Sequence, residues 1–119
     1  MSTDALLEME IRAAGKTAPR VTPDDIEANI VSEHYFTAAQ GMFGQLDGTL
    51  HPEPGSPLFL LTFCVLILRN GFTVTGESAC ASPENFDADI GRKVARQNAV
   101  QKIWPLMGYE LRSKLAGAA

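Results

Sequence analysis

A chain of 119 residues with 45% hydrophobic content can fill one modest core but not two, and that content excludes a disordered chain. Fourteen acids against ten lysines and arginines give a net charge of −4, which excludes the broad basic face of general nucleic-acid binding and leaves room only for a local basic stripe. The longest apolar run, Pro57–Leu68, is about half of the roughly 20 residues a membrane span needs, and Met1–Glu10 carries acids where a signal peptide carries a basic segment, so a cytosolic protein is expected.

In chain order, Asp4–Ala14 has helical composition with Gly15 as its stop, and Gly15–Val21, which contains Pro19, reads as a linker. Thr22-Pro23-Asp24-Asp25 is a strong helix start: threonine at the N-cap, proline at the first helical position and acids in the first turn. Ile26 and Ile30 lie one turn apart with Val31 beside them. This helix is therefore expected to reach at least Ser32, with a continuation through His34-Tyr35-Phe36 to a cap at Gly41 left open. Gly41–Pro57 is rich in glycine and proline and is expected as a surface loop.

Pro57–Leu68 admits two readings. Ser56-Pro57 can start a buried helix and Gly71 can end one, whereas the β-branched and aromatic Phe59, Thr62, Phe63, Val65 and Ile67 suit a strand. Phe72 and Val74 alternate with Thr73 and Thr75, a half-buried strand pattern that favours the second reading. Asn70-Gly71 supplies the two positive-φ positions of a type I′ hairpin turn. That turn sets Arg69 opposite Phe72, Cys64 opposite Glu77 and Cys80 opposite Leu61. In this register Phe63, Val65, Ile67, Phe72 and Val74 share one face, and the two sulfurs point to opposite sides, which forbids a disulfide.

Ser82-Pro83-Glu84 repeats the cap-plus-proline start, and a long helix is expected from there to Trp104, stopped by Pro105. Phe86, Ile90, Val94, Val100 and Trp104 form a broad apolar stripe on it; Ala88, Gly91, Ala95 and Ala99 form a second, small-residue face that lets another backbone come close. Pro105–Leu115 is expected as a short final helix packed through Tyr109 and Leu115. The fold class is α+β: a β-hairpin, or a small antiparallel sheet if one more strand joins it, packed against the long helix with helices on either flank. The single domain spans residues 22–116, after an arm with linker over 1–21.

Reaction chemistry is sparse. No Cys/His metal spacing, phosphate-binding glycine loop or nucleophile elbow is present, and nothing in the sequence brings His34 or His51 to Ser78 or Cys80. No catalytic residue, metal or cofactor is expected. The acids Asp24, Asp25, Glu84, Asp87 and Asp89 sit in first turns of helices, where they favour the helix dipole. Glu77 is read as a solvated strand carboxylate; if a helix covers it, Arg92 or Arg96 becomes its partner, or it contacts a ligand. Arg92 and Arg96, one turn apart with Lys93 and Lys102 near them, form the only basic stripe and suit a phosphate or an acidic partner surface. The order helix, strands, helix is that of a double-stranded-RNA-binding module, against which the acidic charge and only two clear strands count. Met42-Phe43 places two large apolar side chains in an expected loop, which marks a self-association or partner surface.

Asn70-Gly71-Phe72-Thr73-Val74-Thr75-Gly76-Glu77-Ser78-Ala79-Cys80, then Pro83-Glu84-Asn85-Phe86-Asp87, then Gly91 with spaced alanines, then Lys102-Ile103-Trp104-Pro105-Leu106 and Gly108-Tyr109, together resemble the small tailed-phage proteins of the gene-product forty-nine/sixty-six family. The resemblance runs from about Thr22 to Leu115, leaving out Met1–Arg20 and the loop around Met42–Pro57. It implies a viral origin, expression in the host cytoplasm and a small accessory role, and it brings no catalytic residues with it. The expected function is that of a non-catalytic phage accessory protein that binds a host component and counteracts an antiviral defence, by sequestering a small anionic ligand or blocking a host protein. The contacts would come from Arg92, Arg96, Glu77, Met42 and Phe43, and a homo-oligomer is compatible with them. The alternative is a nucleic-acid-associated auxiliary of phage replication, transcription or packaging that acts through Arg92 and Arg96.

Overall fold

The computed structural model describes residues 3–16, 18–44 and 52–117. Its elements are α1 (Thr3–Ala13), α2 (Pro23–Ala28), β1 (Ile30–Thr37), α3 (Ala38–Phe43), β2 (Leu61–Leu68), β3 (Thr73–Ala79) and α4 (Ala88–Gly117), with single 3-10 turns at Pro57–Leu60 and Pro83–Asn85. The three strands form one antiparallel sheet in the order β1-β2-β3. Helix α4 lies across one face of that sheet and packs mainly on β3 and β2. The architecture is α+β, with β2 as the central strand.

α2 starts as its sequence requires. Thr22 Oγ1 accepts from the Asp25 N–H while the Asp25 carboxylate accepts from the Thr22 N–H, a reciprocal capping box. The helix then stops at Ala28, well short of the expected Ser32. Asn29 leaves it because its carbonyl and its side-chain oxygen both accept from the Arg69 N–H, 3.1 and 3.2 Å away. The segment after Asn29, Ile-Val-Ser-Glu-His-Tyr-Phe-Thr, is strand-forming in composition and pairs with β2 from Ile30↔Leu68 to Thr37↔Thr62. The third strand that the sequence left open is therefore made from residues read as helix up to Ser32 and left open beyond it.

The hairpin forms, but with a different turn. Among the described residues no non-glycine has a positive φ, and Gly71 sits at +86°, so Asn70 does not take the left-handed position a type I′ turn demands. Instead Gly71 N–H donates to Leu68 O and Leu68 N–H to Phe72 O, both at 2.9 Å. The loop is thus three residues long with its left-handed glycine last. The register moves by one: Cys64 faces Gly76, Leu66 faces Val74 and Leu61 faces Ala79. Both cysteines consequently belong to the same face, not opposite ones. They remain free thiols because Cys80 lies four residues along from Gly76, roughly 13 Å at strand spacing, beyond disulfide reach. The expected shared face splits as well. Val74 is buried beneath α4, whereas Phe63, Val65 and Ile67 point the other way.

The core is built where sheet and α4 touch: Ile26, Cys64, Leu66, Leu68, Val74, Ala95, Ala99, Val100 and Ile103. Of the two stripes on α4, the small one is the buried one. A Cβ added at Gly76 would lie 2.1 Å from the Ala95 carbonyl oxygen and 2.3 Å from the Ala99 nitrogen, so strand and helix backbones meet there with nothing between them. The large-residue stripe is mostly bare: Ile90 is 60% and Val94 38% exposed, and of its members only Val100 is buried.

The ends of α4 also differ from expectation. Pro83–Asn85 makes only a 3-10 turn; the helix proper begins at Ala88, capped by Asp87, whose Oδ1 accepts from Ile90 N–H at 3.1 Å. Pro105 sits inside the helix, which continues to Gly117. A helix-interior proline costs about 3 kcal/mol, and burial of Ile103 with the packing of Met107 on the core offsets it. Tyr109 and Leu115, expected to pack, are exposed. The arm folds as α1 and docks through polar contacts: Asp4 accepts from Trp104 Nε1 at 3.2 Å, and Glu8 takes both ends of the Arg20 guanidinium at 2.5 and 2.7 Å.

Candidate functional site

The two arginines singled out in the sequence meet different fates. Arg96, in the third turn of α4, donates from Nε to Glu33 of β1 at 2.9 Å and grips Glu27 of α2 with both terminal nitrogens at 3.1 and 2.7 Å. It stitches three elements together and has little left for a ligand. Hydrogen bonding from Arg96 holds the Glu33 carboxyl below the usual carboxylate range. Tyr35 completes the cluster by donating to Glu33 at 3.1 Å. Burial pushes the Tyr35 hydroxyl and the Cys64 thiol upward, so Cys64 is a packed thiol rather than a reactive one.

Arg92 lies one turn earlier, at the rim of the sheet, and bonds to Asp89 through one terminal nitrogen. Both partners are exposed, the situation in which ion pairs hold weakly. Beside it opens a hollow of about 130 Å³ lined by Arg92, Tyr35, Phe36, Gln40, Thr62 and Phe86 among others. β1, α3, β2, the segment before α4 and α4 itself each contribute to it. Sequence reading found Arg92 there but not its neighbours, because Tyr35, Phe36 and Gln40 fall in the stretch left open as a continuation of the preceding helix.

The remaining expected contacts do not join this hollow. Glu77 is an exposed residue of β3 on the face away from α4; it meets neither arginine, and its backbone carbonyl accepts from Asn98 at 2.7 Å. Met42 and Phe43 close α3 rather than lying in a loop. Thr37 caps that helix with Gln40, Met42 is half-buried, and Phe43 is 48% exposed. His51 lies outside the described residues, as do residues 45–51 of the expected loop. His34 bonds to Ser32 on β1 at 3.0 Å.

A second surface was not singled out by sequence. On the face of the sheet away from α4, β2 presents Phe63, Val65 and Ile67, and β1 adds Phe36, whose ring stacks on Phe63 with centroids 5.5 Å apart. Ser32 and His34 border this strip on β1, and Thr73, Thr75 and Glu77 border it on β3. Gly41 of α3 packs against the Phe36 ring at one end. Phe36 remains 39% exposed and Phe59, in the turn before β2, 40%. The available signal was β2 itself, apolar at nearly every position; such runs belong to strands buried on both faces.

Comparison with known proteins bears on the same residues. The phage protein (N4 Gp49/phage Sf6 gene 66) family matches residues 21–115. The chain belongs to that family. The match takes in β1, α3, the bare sheet face, the Arg92 hollow and most of α4, and also Met42–Pro57, which the sequence resemblance had left out. No curated protein and no solved structure matches the chain. Among the described residues no helix is long and apolar enough to cross a membrane, and no cluster of histidine, cysteine and acids could hold a metal. β1 supplies the third strand that a double-stranded-RNA-binding order requires. Within the basic stripe of this phage family member, Arg96 is nonetheless engaged by two glutamates, and Arg92 bonds through one nitrogen to the exposed Asp89.

Proposed function

We propose that this phage protein is a non-catalytic binding protein that engages a host protein through the face of its sheet that α4 leaves uncovered, with an antiviral defence component as the class of target. One observation carries the reading: β2 is apolar on both faces, Cys64, Leu66 and Leu68 on one and Phe63, Val65 and Ile67 on the other, but α4 covers only the first. A sheet face of this kind is stable in water when something packs on it. Its layout, aromatic and aliphatic groups at the centre with Ser32, His34, Thr73, Thr75 and Glu77 around them, is that of an interface with an apolar middle and a polar rim. The nucleic-acid reading has less support, because Arg96 is spent inside the fold.

The test is affinity capture from host lysate with the wild type and with Val65→Glu and Ile67→Glu variants, alongside size-exclusion chromatography of the purified protein. Retention of a defined host protein by the wild type, lost in both variants at unchanged thermal stability, supports the reading. A purified dimer that Val65→Glu converts to monomer, with no host protein retained, would show that a second copy covers the face and would overturn it.

A further inference from the structure

The hollow beside Arg92 shares only Phe36 with that sheet face, and its chemistry is specific enough to name a ligand. We propose that it binds a small phosphate monoester, with Arg92 holding the phosphate and the aromatic wall holding the remainder. The chain as a whole is acidic, yet the side chains that line this hollow include a guanidinium and no carboxylate. Asp89, which holds one nitrogen of Arg92, stands outside it. Among the described residues Nε and the other terminal nitrogen of Arg92 have no protein acceptor. Gln40 uses its side-chain oxygen to cap α3 by accepting from the Thr37 N–H at 2.8 Å, which leaves its amide N–H groups as donors. Thr62 contributes a hydroxyl. Donors from three elements therefore line one small space, and a phosphate offers three oxygens to them, where a carboxylate offers two.

Arginine is the side chain whose planar fork suits a phosphate, and the first turn of α4 adds the positive end of its dipole. Phe36, Phe86 and Tyr35 supply flat apolar wall. The size sets a limit: about 130 Å³ is well under the roughly 300 Å³ at which drug-sized pockets begin. The hollow accommodates a phosphate with a few further atoms, and anything larger must project into solvent. Asp89 acts as an internal competitor for Arg92, which the ligand displaces on binding.

The experiment is a titration of the whole chain with inorganic phosphate, phenyl phosphate and benzoate, monitored by amide chemical shifts. Saturable shifts at Gln40, Thr62, Phe86 and Arg92 are expected, with phenyl phosphate binding tighter than phosphate. Arg92→Gln should weaken phenyl phosphate at least tenfold. Asp89→Asn should tighten it several-fold by releasing the guanidinium, and Lys93→Gln should leave it unchanged. Asp89→Asn alters an exposed side chain, so it keeps the test alive even if Arg92→Gln folds poorly. Absence of saturable shifts, equal binding by Arg92→Gln, or weaker binding by Asp89→Asn would overturn the proposal. Benzoate binding as tightly as phenyl phosphate would overturn the phosphate assignment.

Discussion

The two faces of the sheet are built on opposite plans. Under α4 the contact is made by small residues: Gly76 meets Ala95 and Ala99 backbone to backbone, and Leu66, Val74 and Ile103 fill the space on either side. On the other face the residues are large and half-buried, and among the described residues α4 does not cover them. Both plans run through one strand, since β2 alternates between them residue by residue. The close-packed face has no tolerance for added volume, whereas the bare face tolerates change in the isolated chain and is sensitive only where a partner sits. Stability and recognition are thereby assigned to alternate positions of a single strand.

That contrast can be broken most severely at Gly76. Gly76→Val sets a side chain into the Ala95 carbonyl and the Ala99 backbone, neither of which can swing aside. Overpacking of this kind reaches or exceeds about 3 kcal/mol; urea unfolding should show a loss of that size, and a loss below about 1 kcal/mol would mean that α4 does not lie so close. Leu66→Ala, on the same face, should cost about 3 kcal/mol through the cavity it leaves. Its neighbour Val65→Ala should cost under about 1 kcal/mol. Equal losses at 65 and 66 would erase the distinction between the faces.

A smaller effect is expected at Arg96, whose removal as Arg96→Met breaks its links to Glu27 and Glu33 and should lower stability by about 1 kcal/mol. The Glu33 part of that effect has a pH signature. Its folded-state pKa is depressed by Arg96, so the stabilisation is complete above the ordinary carboxylate range and fades as pH falls through the folded value. The difference between wild type and Arg96→Met should therefore shrink in acid.

The smallest expected change concerns α1, which buries none of its residues. Arg20, with Arg12, draws the Glu8 carboxyl from 4.5 down to about 2. The hold of Glu8 on Arg20 is then full above about pH 4.5 and is lost as pH falls through about 2. Asp4 accepts from Trp104, the chain's one tryptophan, so its fluorescence reports the docking. Glu8→Gln should give near neutral pH the emission that wild type reaches only near pH 2, with the melting of the sheet and α4 unchanged.

Much of this arrangement was legible in the chain. The strand character of residues 61–68 and the reversal before Phe72 come from local composition, and the small-residue stripe of α4 announced a close backbone approach. The errors share a cause. The start of β1, to Ser32, reads as helix because Ile26, Ile30 and Val31 fit a helical spacing, and the bond from Arg69 to Asn29 that ends α2 joins residues 40 apart in sequence. The type I′ turn was a sound inference from Asn-Gly, but Asn70 accepts from Phe72 N–H instead, and one residue more in the loop shifted every pairing. The Arg92 hollow was half visible, because Tyr35 and Phe36 of its aromatic wall come from the strand that was missed.

By itself the amino-acid sequence determined the elements whose signals are local: the Thr22 cap, the strand character of 61–68, the left-handed Gly71 and the alanine stripe of α4. Only the tertiary structure decided which stripe of α4 is buried, which side of β2 α4 covers, and that Arg96 is spent on Glu27 and Glu33 while Arg92 faces a hollow. These outcomes depend on contacts between residues far apart in the chain, and side-chain periodicity says which residues share a face without saying what that face will meet.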